Sequence, residues 1–79
     1  MSDLGRDCVK QAIAWANEDL EGDVYPEDRE EWVSRLIRDD RTDAAMALAI
    51  GREARDHEAE YALPVGAGAR LFAEAKERA

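Results

Sequence analysis

The sequence predicts an all-α fold: a compact bundle of four helices forming a single domain over 1–79. Three observations predict it. Apolar residues recur at offsets of three and four along most of the chain, the spacing that lines one face of a helix. No segment alternates with period two, so no sheet is expected. The periodic runs are separated by residues that stop or start helices: Gly22 and Pro26, then Thr42, then Pro64 with Gly66 and Gly68.

The first helix is expected over 3–20. Ser2 is a good N-cap, and Asp3 and Asp7 place negative charge near the positive end of the helix dipole. Leu4, Cys8, Val9, Ala12, Ile13, Ala16 and Leu20 form its apolar face, with Trp15 on the margin beside Leu4 and Cys8. Gly22 can take positive φ and end it. The second helix is expected over 26–39. Pro26 suits its first position, where a missing N–H costs nothing. Glu27, Asp28 and Glu30 crowd the first turn, and Arg35 and Arg38 complement the last. Trp32, Val33, Leu36 and Ile37 make its stripe, onto which Tyr25 is placed to staple.

The third helix is expected over 43–62, capped by Thr42. Met46, Ala47, Ile50, Ala54, His57 and Tyr61 line one face. Gly51 either splits this run or lets another helix approach closely. The register continues across it, so one helix is expected. Leu48 falls off the main face, toward a different neighbour or a second subunit. Pro64 breaks the pattern. The fourth helix is expected over 67–78, with Ala69, Phe72, Ala75 and Leu71 inward and Lys76 and Arg78 at its C-terminus.

Charge is distributed unevenly. The net charge is −8, and the stretch from Glu18 to Glu31 carries eight carboxylates and one arginine, or −7 of it. The acids are concentrated where one expected helix ends and the next begins. A pI near 4.5 argues against direct binding of nucleic acid or an anionic membrane surface, both of which need a basic face, and favours a basic partner. Cys8 is the only cysteine, which excludes an internal disulfide and fits a reducing compartment. The N-terminus has no secretory pattern, and no apolar run approaches the roughly 20 residues of a membrane helix, so a cytoplasmic location is expected. Seventy-nine residues bury a small core, and self-association is one way to enlarge it.

Chemistry-bearing constellations are sparse. One histidine, His57, and one cysteine fall short of the three or four ligands of a zinc site. Cys8 and His57 each lie on an expected apolar face, with no third orienting group, so no catalytic pair and no enzyme is expected. No cofactor or metal is expected. Val65-Gly66-Ala67-Gly68 lacks the strand and the Lys-Ser/Thr of a phosphate loop. A helix-turn-helix reading would aim Arg41, Arg52 and Arg55 at DNA, but Asp39, Asp40, Asp43, Glu53 and Asp56 are interleaved with them. Pairing within the helix, Arg52 with Asp56 for instance, accounts for the arginines better.

The acidic stretch has one further alternative. From Asp19, the oxygen-ligand positions of a twelve-residue EF-hand loop fall on Asp19, Glu21, Asp23, the Tyr25 carbonyl, Glu27 and Glu30. The required glycine at position six is Val24, and Pro26 sits at position eight, so calcium binding is the weakest of the readings.

The leading expectation is a protein-docking surface. Glu18, Glu21, Asp23, Glu27, Asp28, Glu30 and Glu31 would meet arginines and lysines of a basic protein or nucleoprotein complex. Tyr25 or Trp32 would serve as an aromatic anchor. In overall character, short, acidic, cysteine-poor and helical with a concentrated carboxylate end, the chain resembles the small phage-encoded inhibitors of host defence, anti-CRISPR proteins and other DNA mimics. That resemblance implies a non-enzymatic inhibitor acting in a host cytoplasm and occupying a nucleic-acid channel; it rests on no motif. The nine-to-two excess of arginine over lysine fits a GC-rich bacterial or phage gene. The rival expectation is a homodimeric adaptor module, associating through Leu48, Trp15 or Phe72, with the acids as a solvating face.

Overall fold

The computed structural model describes residues 4–19 and 25–78. Among these it contains four α-helices and no strand: α1 Leu4–Asp19, α2 Pro26–Arg38, α3 Ala44–Asp56 and α4 Ala67–Arg78. The chain is an all-α four-helix bundle measuring 33 × 25 × 24 Å. α3 and α4 make the most extensive pairing, α1 packs on α2 and α3, and α2 also touches α4. No helix among the described residues is long and apolar enough to cross a membrane.

The core follows the periodicity. Val9 and Ala12 of α1 cluster with Val33 and Ile37 of α2 and Ala47, Ile50 and Ala54 of α3, with Leu71 and Ala75 of α4 closing the core; Ala16 of α1 is also buried. Many of these side chains are alanines, so the helices must approach closely for them to touch. Two glycines permit this between α3 and α4. A Cβ on Gly51 would sit 2.9 Å from the Ala75 Cβ and 3.0 Å from the Phe72 Cα. One on Gly68 would sit 2.5 Å from the Ala54 carbonyl oxygen. The expected role of Gly51 as a point of close approach in an unbroken helix therefore holds.

α3 is shorter than the expected 43–62. It ends at Asp56, and 57–62 form successive turns. Tyr61 remains buried, but its register no longer belongs to the helix: its hydroxyl folds back to Glu53. The N-cap of α3 is Asp43, whose carboxylate accepts from the Met46 N–H at 2.7 Å; Thr42, one residue earlier, is buried. Of the side chains expected inward, Leu4, His57 and Ala69 are exposed. Tyr25 does not staple; it is 69% exposed. The Ser2 cap and the inward Leu20 lie outside the described residues.

Polar ties lock the bundle's ends. Glu58 accepts from the Gly68 N–H at 2.9 Å and so caps the start of α4. At the other end, Arg78 donates to the Ile37 and Asp39 carbonyls, satisfying the C-terminus of α2. The buried Ser34 hydroxyl donates to Glu74, which also pairs with Arg38 at 3.0 Å.

Candidate protein-docking site

The acidic stretch divides into carboxylates used by the fold and carboxylates left for solvent. Glu30 receives two hydrogen bonds of 2.9 Å from Arg70 across the α2–α4 contact, and that pairing lowers its pKa below the usual range. Glu31 pairs with Arg35 one turn later at 3.3 Å. Glu18, Asp19, Glu27 and Asp28 make no ion pair among the described residues. Glu21 and Asp23 lie outside the described residues. The eight residues expected to dock a partner therefore include two, Glu30 and Glu31, that are already engaged within the molecule.

The free acids are not all explained by helix capping. Glu27 and Asp28 occupy the first turn of α2, where the dipole favours them. Glu18 and Asp19 occupy the last turn of α1, where it favours cations, and α1 has no basic residue there. Their charge opposes the local field of their own helix.

Beside them lie the two tryptophans. Trp15 of α1 is 44% exposed and Trp32 of α2 is half-buried. Together with Glu18 and Asp19 they line one open groove across the α1–α2 seam. A second groove adjoins it, lined by the same indoles with Arg35, Leu36, Asp39 and Arg41. Here charges are internally matched. The Arg35 guanidinium lies 5.1 Å over the Trp32 ring while pairing with Glu31. Arg41 grips Asp39 through its Nε, its Nη2 and its backbone N–H, holding the pKa of that carboxyl down at about 2. The unmatched negative charge therefore lies on the Glu18–Asp19 side. From the sequence, Trp32 is expected as an anchor, Trp15 at a core margin or in a dimer contact, and Asp19 is not among the expected docking acids. The sequence signal for Trp15 is a position off the apolar face of α1 and one turn before Glu18; Asp19 lies within the acidic stretch itself.

The remaining sequence-level candidates have other partners. The Tyr25 carbonyl accepts the Asp28 N–H as the first bond of α2, and Glu30 is held by Arg70, so two of the calcium-loop oxygens are already committed. Cys8 lies 3.7 Å from the Met46 sulfur, and burial followed by the Asp7 charge pushes its thiol pKa up, away from the reactive thiolate. Arg55 bonds Asp56, the acid expected to pair with Arg52, and stacks 4.3 Å from the Phe72 ring, with Lys76 at 4.8 Å. Phe72 is thus covered by cations, and Leu48 packs against the core.

A second polar cluster closes the 57–62 turn. Glu53, His57 and Glu60 bring three ligand-type atoms within 4.8 Å of one another, the spacing of a metal site. Arg6 from α1 already supplies the positive charge there, with Nε 3.3 Å from Glu53 and Nη1 3.3 Å from Glu60. Tyr61 donates to the same Glu53 oxygen at 2.6 Å. The donor set is satisfied as an ion-pair network joining α1 to the end of α3.

Compared with protein-family models, curated proteins and solved structures, the chain matches none.

Proposed function

We propose that this protein is a non-enzymatic binding protein that blocks or modulates a basic, nucleic-acid-binding partner. The observation that carries the reading is the Trp15–Trp32 groove rimmed by Glu18 and Asp19. An exposed indole beside a half-buried one supplies the aromatic anchor typical of interface hot spots. Carboxylates without a partner among the described residues supply electrostatic steering and charge-assisted bonds to arginine and lysine. Glu27 and Asp28 extend the negative charge onto α2. Such a surface competes for sites that normally hold phosphates, which is the mode of a DNA mimic.

The test is capture from a bacterial lysate with the wild-type protein and with two variants, Trp15→Ala and the pair Glu18→Lys with Asp19→Lys. The altered side chains are exposed, so helicity by circular dichroism should be unchanged. Both variants should lose the captured protein, and raised salt should weaken wild-type capture. Undiminished capture by the charge-reversed variant would refute the reading. Sedimentation separates the homodimeric adaptor: a monomer–dimer equilibrium abolished by Trp15→Ala would favour it instead.

A further inference from the structure

A groove of about 300 Å³ lies between α1, α2 and the 57–62 turn, lined by Lys10, Ile13, Arg29, Glu60, Tyr61 and Ala62. Its size is at the low end for small-molecule sites. Its charge runs against the rest of the molecule. In a chain with 19 acids and 11 bases, Lys10 and Arg29 make no ion pair with a carboxylate among the described residues. The one acid in the lining, Glu60, is already engaged by Arg6 and faces His57. The groove is therefore locally cationic, with Ile13 as its apolar wall.

Arg29 is incompletely satisfied. Its Nε is buried and has no hydrogen-bond acceptor among the described residues, and its Nη1 makes a long bond, 3.4 Å, to the Ala62 carbonyl. A buried N–H without an acceptor is costly, and a carboxylate is the acceptor that matches Nε and Nη together. The Ala62 carbonyl is itself presented by an unusual backbone, with φ at +53°. Among the described residues, the groove thus combines a guanidinium N–H without an acceptor, a second cation without a carboxylate partner and an apolar wall.

We propose that this groove binds a small monocarboxylate bearing a short apolar chain. The carboxylate pairs with Arg29, which pivots out of its weak bond to Ala62, and with Lys10. The chain lies against Ile13 and the Tyr61 ring. The site is lined by none of the residues that line the tryptophan grooves, so it stands or falls independently of the docking surface.

Two-dimensional amide NMR titration tests this with hexanoate and with hexanamide, its uncharged counterpart. Hexanoate should give saturable shifts at residues 10, 13, 29, 61 and 62. Hexanamide should bind about tenfold more weakly or less, the loss expected for removing a charge-assisted bond. Arg29→Gln and Lys10→Gln should each weaken hexanoate by a similar factor, while Lys76→Gln, on α4, should not. Lys10 is exposed, so its variant keeps the test decisive if Arg29→Gln disturbs the fold. Equal binding of hexanoate and hexanamide, binding undiminished in Lys10→Gln, or the absence of saturable shifts would overturn the proposal.

Discussion

The Tyr61 hydroxyl donates to Glu53 Oε1 at 2.6 Å, folding the turn after α3 back onto the helix it leaves. Both residues are buried, and Arg6 reaches the same carboxylate from α1. One short hydrogen bond therefore joins the 57–62 turn, the end of α3 and the start of α1.

Tyr61→Phe should destabilise the fold by roughly 1–2 kcal/mol, because a buried carboxylate loses a donor while keeping Arg6. The effect has a pH signature. Burial, then the bond to Glu53, raises the Tyr61 pKa above its ordinary value of 10. Only the unfolded chain then ionises near pH 10, so the contribution is complete below that pH and is lost as pH rises toward the folded-state value. Urea unfolding of wild type and variant should show curves that converge above pH 10. A constant gap across that range would contradict the assignment.

The α3–α4 contact depends on the absence of side chains at two positions. Alanine at Gly51 or Gly68 gains roughly 1 kcal/mol of helix propensity. It also places a Cβ against backbone, most severely at Gly68, where Ala54 and Arg55 main-chain atoms lie at 2.5 and 2.6 Å. Overpacking costs about 1–3 kcal/mol and should outweigh the gain. Thermal unfolding should place Gly68→Ala below Gly51→Ala and both below wild type.

Ala62 adopts φ of +53°, a left-handed conformation that costs a residue with a Cβ roughly 1–2 kcal/mol. Ala62→Gly relieves it, offset in part by glycine's greater freedom when unfolded. A net gain of about 0.5–1 kcal/mol in urea unfolding is expected. A loss of stability would show that the Ala62 methyl contributes more than its backbone strain costs.

The residues explain how far the sequence could be read. α1, α2 and α4 were legible because each has an uninterrupted apolar periodicity, and Pro26 and Pro64 mark locally where α2 and α4 begin. The end of α3 was not. Tyr61 falls in register with His57, and no glycine or proline intervenes before Pro64, so the pattern continues past the true terminus. The stop is a tertiary effect: Glu58 turns away to cap α4 at Gly68, and Tyr61 returns to Glu53. The candidate site was legible as a charge cluster, since composition locates Glu18 through Glu31. Its division into engaged and unengaged acids is only partly local: Glu31 meets Arg35 at the i,i+4 spacing, but Glu30 is held by Arg70, forty residues away in the chain with no sequence signal linking it there.

On the proposed function, the Trp15–Trp32 groove and the acids of its rim, which have no ion-pair partner among the described residues, occupy a phosphate-binding surface of a partner. The most direct measurement is elution of captured protein from the immobilised wild-type chain by duplex DNA or RNA. The account predicts that nucleic acid displaces the partner competitively, and that the Glu18→Lys, Asp19→Lys variant never retains it. A partner that stays bound at saturating nucleic acid, and binds the charge-reversed variant equally well, would contradict it.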